Sequence, residues 1–445
     1  MTIPRTICLG FLSVIAIGTL LLMMPFAASD GTWTHPMVAL FTSTSAVCVT
    51  GLVVVDTGSY FSFWGQLIVL GLFQIGGLGY MTTTTFLILL LGRKFKLKQK
   101  IAIQQALDRQ GLQDSAALIR SIIATAIIFE ITGIFLLLLV FVPDYGLYQG
   151  LWLAIFHSIS AWNNAGFSLF PDSLTSYQSS LLLNLVITTL IICGGIGQQV
   201  IFEFYLWLRD RILRRRQSLE FSLNFKVVTS TTLFLLIVGA IAFLLIEFNN
   251  YNTLGSSTLL SDKFLQAWFQ SVTTRTAGFN TIDLGKMTTA GLFITIAMMF
   301  FGASPGGTGG GIKTTTVRIL VSSTKAILQG KEEVYLYKRQ VPTELILKAI
   351  GVLVGSFATV ILSTLLISLA EPTLDFIEIL FEVVSAFATV GLSTGITPDV
   401  STWAKLVLIG TMYIGRVGVL LLMASLLGEP RPSSVHYPEE NLLVG

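Results

Sequence analysis

The sequence predicts an all-α polytopic membrane protein of four fused membrane-pore-membrane units: eight transmembrane helices and four re-entrant pore loops in a pseudo-fourfold array. Three observations carry this. The 445 residues are 53% hydrophobic and only 11% charged, against roughly 25% charged in a soluble chain. The apolar residues lie in runs long enough to cross a bilayer. Two glycine-centred marks recur, in order, four times.

A hydrocarbon core of ~30 Å needs about 20 helical residues. Eight runs qualify, roughly 7–24, 64–92, 119–142, 180–208, 226–248, 290–320, 344–369 and 403–427. The first also resembles a signal peptide, with Ala27-Ala28-Ser29 as a cleavage-like site, but the repeat requires it as a span. Positive charge gathers in three connections: Arg93, Lys94, Lys96, Lys98, Lys100, Arg109 and Arg120; Arg209, Arg211, Arg214, Arg215, Arg216 and Lys226; and Lys325, Lys331, Lys338, Arg339 and Lys348. The positive-inside bias places these loops and both termini in the cytoplasm. The basic runs also suit anionic lipid heads or an acidic protein surface; nucleic acid is a weak reading beside these spans.

The spans pair across outer segments of about 40 residues, too apolar for plain loops. Each contains a stretch ending at a glycine: Val49-Thr50-Gly51, Asn164-Ala165-Gly166, Thr276-Ala277-Gly278 and Thr389-Val390-Gly391. These glycines stand 115, 112 and 113 residues apart. Phe41-Thr42, Phe156-His157, Phe269-Gln270 and Phe381-Glu382 precede them, the third pair one residue out of register. A second mark follows inside each second span: Gly76-Gly77-Leu78-Gly79, Gly194-Gly195-Ile196-Gly197, Gly302-Ala303-Ser304-Pro305 and Gly415-Arg416-Val417-Gly418. Helix packing explains the second mark alone, not the coupled pair. The boundaries are 1–95; 96–215, with its preceding cytoplasmic linker; 216–325, with an intramembrane loop 302–313; 326–430; and a C-terminal tail 431–445.

A short helix, an extended glycine-bearing strand and an exit on the same side make a re-entrant loop. Such backbone survives at membrane depth only when buried or lining a watery path. Four loops converging on one axis would let carbonyl oxygens replace a cation's hydration shell, with glycine wherever a Cβ would clash. This is the physical case for a monovalent-cation filter.

The run Gly302-Ala303-Ser304-Pro305-Gly306-Gly307-Thr308-Gly309-Gly310-Gly311 cannot stay helical. It interrupts a span below filter level, as a gate or a passive kink. A phosphate loop fails, because Ile312 separates Gly311 from Lys313 and no strand precedes it. Arg416, near mid-membrane, should face the path or a polar partner, repelling cations and pairing with loop carbonyls, or clamping two units together. Asp56, Asp172, Asp283 and Asp399 follow the four glycines closely. They suit an outer vestibule that concentrates cations or N-caps of the second spans. His157, Gln270 and Glu382 read as buried hydrogen-bonding posts, and Arg275 as a brace for its loop. Cys8, Cys48 and Cys193 make no disulfide framework, and with His35, His157 and His436 no zinc set. No catalytic constellation is present, so an enzyme is not expected.

These residues resemble the superfamily of Trk, Ktr and HKT potassium transporters over essentially the whole chain, closest to the Ktr-type membrane subunit. The resemblance rests on Val49-Thr50-Gly51-Leu52 with Val55-Asp56-Thr57, Asn163-Asn164-Ala165-Gly166-Phe167-Ser168, Arg275-Thr276-Ala277-Gly278-Phe279-Asn280, and the C-terminal Tyr437-Pro438 to Gly445. It implies sodium-aided potassium uptake across the plasma membrane, with potassium held at filter carbonyls and no organic cofactor. It also implies a homodimer and a cytosolic nucleotide-binding regulatory ring. The filter glycines would be Gly51, Gly166, Gly278 and Gly391, the gate 302–313 and the pore arginine Arg416. The glycine content of the gate leans toward the Trk type. A Trk-type or sodium-coupled symporter acting as a carrier is the alternative, and a non-transporting scaffold leaves the four loops without a purpose.

Overall fold

The computed structural model describes residues 3–79, 115–213, 220–257 and 259–427. The basic residues Arg93 to Arg109, the arginines 214–216, the rest of the expected span 64–92 and the tail 431–445 lie outside these residues.

The chain runs through four successive helix sets. The first is α1 (Ile3–Met23), α2 (Pro36–Val47) and α3 (Phe63–Leu78). The second is α4 (Ser115–Tyr145), α5 (Leu147–Trp162), α6 (Leu181–Ile196) and α7 (Gln198–Ile212). The third is α8 (Leu223–Glu247), α9 (Leu260–Thr273), α10 (Thr289–Phe300) and α11 (Thr314–Leu328). A small hairpin, β1 (Tyr335–Leu336) with β2 (Arg339–Gln340), precedes the fourth. That set is α12 (Thr343–Ala370), α13 (Phe376–Ala388), α14 (Thr402–Val417) and α15 (Val419–Leu427).

Among the described residues, only α1, α4, α8 and α12 hold single spans long and apolar enough to cross a membrane. They turn Leu12, Phe135, Leu245 and Ile361 outward, as lipid-facing helices do. The short α2, α5, α9 and α13 are the reverse, burying polar and apolar side chains alike. At 1.5 Å per residue α2 covers only about 18 Å, too little to span. Phe41, Phe156, Phe269 and Phe381, the aromatics of the first mark, are all 0% exposed and anchor these helices. In the first three sets a serine on the short helix donates to a carbonyl of the long one: Ser43 to Ile15, Ser158 to Glu130 and Ser271 to Leu236, at 2.7–2.8 Å. A Cβ on Gly18, Gly133 or Gly239 would strike the same serine hydroxyl.

The expected spans 180–208 and 403–427 are each broken into two helices. The chain bends by 103° between α6 and α7 and by 94° between α14 and α15. The breaks fall at Gly197 (φ 97°) and Gly418 (φ 90°), a backbone open to glycine. Span 290–320 stops at Phe300 and resumes at Thr314. The hairpin departs from an all-α reading. Its turn residues Tyr337 and Lys338 both have positive φ, the geometry of a two-residue primed turn.

Candidate functional site

The short helices α2, α5, α9 and α13 end at the four loop glycines. Val49 (φ 57°), Asn164 (55°), Thr276 (68°) and Thr389 (53°) each take a left-handed backbone two residues before the glycine. Such geometry is uncommon for non-glycine residues, most of all for a β-branched one, and strain of this kind gathers at functional sites. The turn throws the next N–H back onto the helix: Thr50 N to Ser45 O, Ala165 N to Ser160 O and Val390 N to Ser385 O, each at 2.8 Å. In the third segment Ala277 N reaches Thr273 O at 3.0 Å, one residue closer in sequence. That tighter turn accounts for the one-residue offset of Phe269-Gln270.

The four glycines neighbour one another around a closed ring. A Cβ built on Gly51 would lie 2.6 Å from Ala165 O, one on Gly166 2.9 Å from Ala277 O, and one on Gly278 2.5 Å from Val390 O. One on Gly391 would run into Thr50 O and close the circle. The carbonyls preceding the glycines therefore crowd one small volume. The negative ends of four helix dipoles converge there too, which favours a cation.

Hydroxyl groups behind the ring escaped the sequence reading. Gly51 N donates to Ser45 Oγ and Gly391 N to Ser385 Oγ, both at 3.1 Å. Ser160 Oγ and Thr273 Oγ1 instead donate to Phe167 O (2.8 Å) and Phe279 O (2.5 Å). The signal was available: a hydroxyl stands four residues after each marked phenylalanine. Ser385→Ala leaves the buried Gly391 N–H without its acceptor. It is expected to cost about 1–3 kcal/mol, read as a lower melting temperature of purified protein; an unchanged melt would remove the hydroxyl from this role.

The loop 302–313 lies against the ring. A Cβ on Gly309 would strike Thr276 Oγ1, and one on Gly310 would sit 2.5 Å from Thr389 Oγ1, so only glycine permits this approach. Neighbouring sets hold the loop: Ser304 N donates to Gly195 O (3.0 Å), Thr308 N to Gly194 O (3.2 Å) and Gly310 N to Thr389 Oγ1 (2.9 Å). Two cations pair with its carbonyls. Arg416 donates to Thr308 O and also to Gly76 O at the end of α3. Lys313, which sequence reasoning passed over, donates to Gly309 O at 2.6 Å.

The second mark is only partly uniform. A Cβ on Gly76, Gly194 or Gly415 would meet the carbonyl of Val47, Trp162 or Phe387 at the end of a short helix. Gly302 meets Gly310 O of its own loop instead, because the loop fills that place.

The four aspartates do not cap the second spans. Ser62, Thr288 and Ser401 cap α3, α10 and α14. Asp56 caps the one-turn helix Thr57–Tyr60, and Asp283 caps Leu284–Lys286 while pairing with Lys286 at 2.9 Å. Asp172 and Asp283 share a cleft of about 570 Å³; Asp56 and Asp399 do not line it. Burial pushes the Asp172 carboxyl up, but hydrogen bonds from Ser176 and Thr175 outweigh it and hold it below its ordinary value. Asp172 is therefore charged at neutral pH.

His157 and Glu382 are hydrogen-bonding posts. His157 bonds Leu153 O (2.8 Å) and Ser168 Oγ (3.0 Å). Glu382 accepts from Ser393 Oγ (2.6 Å), Thr394 N (2.9 Å) and Thr397 Oγ1 (2.7 Å), which ties down the strand leaving Gly391. Gln270 is not a post: both of its amide atoms are buried without a partner among the described residues. Arg275 donates to Thr232 Oγ1 on α8 at 3.3 Å, bracing the end of α9 against that span.

A backbone ring that crowds carbonyls at one point, with a cation-held loop packed against it among apolar spans, defines a multi-pass membrane transport protein for cations, not an enzyme. The chain belongs to the TrkH cation transport protein family, whose model matches residues 7–437. It is 38% identical over 445 residues to the Ktr system potassium uptake protein B of Bacillus subtilis, covering 100% of this chain and 97% of the relative. It is 39% identical to the protein of the same name from Vibrio alginolyticus, covering 99% and 95%. It is 37% identical to the potassium/sodium uptake protein NtpJ of Enterococcus hirae, covering 99% and 97%. The crystal structure of the potassium transporter TrkH from Vibrio parahaemolyticus has the same fold, with a TM-score of 0.72 at 20% identity over 95% of this chain and 85% of that one.

Proposed function

We propose that this chain is the ion-translocating subunit of a potassium uptake system in the plasma membrane. The observation that carries the reading is the closed ring of Gly51, Gly166, Gly278 and Gly391 with its carbonyls drawn together. The names of the full-length relatives, potassium uptake proteins of a Ktr system, support the choice of ion and a partner subunit. In this reading the four helix sets are four membrane-pore-membrane units around one path, with both termini in the cytoplasm. Filter carbonyls replace potassium's water. The loop 302–313 with Arg416 is the gate, and the outer aspartates gather cations. A second copy and a cytosolic nucleotide-binding ring complete the assembly. Sodium assists, a reading favoured by the potassium/sodium name of the Enterococcus relative.

The test is growth at low potassium of cells lacking their own uptake systems. Expression of this chain, with a Ktr-type partner where required, is expected to restore growth and potassium uptake. Failure with well-inserted protein would reject the reading. Deleting Ser304 to Gly309 is expected to raise basal uptake and weaken control by the partner, since the segment blocks the path below the ring. Normal flux with normal control would leave the loop a passive kink.

A further inference from the structure

Ile15, Glu130 and Leu236 occupy the same place in the first three helix sets: each offers its carbonyl to the serine of the short helix. Two are aliphatic and one is an acid. Glu130 is 6% exposed, midway along α4, where an ionisable group is costly and needs a reason. None of the described lysines, arginines or histidines forms an ion pair with it. Its Oε1 accepts from Gln74 Nε2 of α3 at 2.8 Å and stands 3.5 Å from Asn163 Nδ2. Asn163 Nδ2 in turn donates to Gln74 Oε1 at 2.5 Å and to Ile159 O at 2.9 Å. Asn163 ends α5, three residues before Gly166. The corresponding places before the other glycines hold Cys48, Arg275 and Ala388. Asn163 Oδ1 is buried without a partner among the described residues and lies close to where a Cβ on Gly77 would be, so the amide is clamped between two sets.

We propose that Glu130, Gln74 and Asn163 form a polar brace behind the ring, and that Glu130 is a positioning residue for ion selection at the second filter segment. This rests on the filter reading above. The acid acts through its accepting oxygen: it holds the Gln74 amide, which holds Asn163 and with it the turn into Gly166. An aliphatic residue at 130 would leave the Gln74 amide without its acceptor and loosen its hold on Asn163, which would then rest mainly on Ile159 O, leaving that turn freer to shift. Buried polar networks of this kind specify one geometry when all members are present and lose it when one is removed.

The experiment compares Glu130→Ala, Glu130→Gln, Gln74→Leu and Glu130→Ala with Gln74→Leu, normalised to folded transporter in the membrane. Glu130→Ala is expected to raise the potassium KM several-fold and lower the potassium-over-sodium preference, with maximal flux within about twofold of wild type. Glu130→Gln keeps an accepting oxygen and is expected to retain wild-type KM and preference. Gln74→Leu should reproduce Glu130→Ala, and the double variant should be no worse than either. Unchanged KM and preference in Glu130→Ala would overturn the brace, as would a Glu130→Gln variant as impaired as the alanine. If Glu130→Ala does not insert, Gln74→Leu decides by the same readouts. Gly166→Ser is measured alongside. If it shifts preference while the brace variants do not, the brace alone fails; if it leaves preference intact, as do serines at Gly51, Gly278 and Gly391, the filter reading fails.

Discussion

Serine at the four ring glycines is expected to erode the preference for potassium over sodium in a graded order, Gly391 most and Gly166 least. Each glycine has a positive φ, between 70° and 92°, so any side chain carries backbone strain of about 1–3 kcal/mol. The second cost differs between positions. The new Cβ would fall on Thr50 O at position 391, 2.5 Å from Val390 O at 278, 2.6 Å from Ala165 O at 51 and 2.9 Å from Ala277 O at 166. All four obstacles are backbone carbonyls of the neighbouring segment, which cannot swing aside as a side chain would. The substitution therefore moves the oxygens thought to replace the ion's hydration shell, and it does so in one quadrant. Relative uptake of potassium and sodium, per folded molecule, reads the effect. Gly51→Ser should keep the fold while lowering the ratio. An unchanged ratio at all four positions would remove the ring from ion selection.

Most of the fold was legible because its signals are local and repeated. Low charge and long apolar runs foretell a membrane chain, and paired marks at near-constant spacing foretell recurring short buried helices. What escaped depends on three-dimensional neighbours. The bends at Gly197 and Gly418 look in sequence like ordinary packing glycines. Only the broken helices show that the last glycine of the mark turns the chain. Lys313 read as the end of a loop, since nothing in its spacing announces that its ammonium returns to Gly309 O. Gln270 shares its place in the pattern with His157 and Glu382, yet in the shortened third segment its amide finds no partner among the described residues. Ser45 and Ser385 could have been found from their fixed distance after Phe41 and Phe381. Glu130 could not, because its significance lies in Ile15 and Leu236 holding the same place in other sets.

Replacing Arg416 by Ser or Gln is expected to raise potassium flux several-fold, and replacing it by Lys to raise it less. The guanidinium does two things here. On the gate reading it places a positive charge in the path below the carbonyl ring, and it ties Thr308 O of the loop to Gly76 O at the end of α3. At an effective dielectric near 20, a like charge about 6 Å from a permeating ion costs roughly 3 kcal/mol, a slowing on the order of a hundredfold. Water in the path screens part of this, which leaves a several-fold rise as the expected size. Ser and Gln remove the charge and the two-armed tie together. Lys keeps the charge but, as a compact ammonium, lacks the planar fork that reaches both carbonyls. Its result therefore separates repulsion from latching. Lys313 offers a control from within the loop: it holds Gly309 O and is untouched by the Arg416 substitutions. Lys313→Met should add to the rise if both cations close the path. A purely structural tie between the loop and α3 requires the opposite, lower yield and lower flux for every Arg416 substitution. Flux must therefore be referred to folded protein in the membrane, and a fall per folded molecule would reject the barrier.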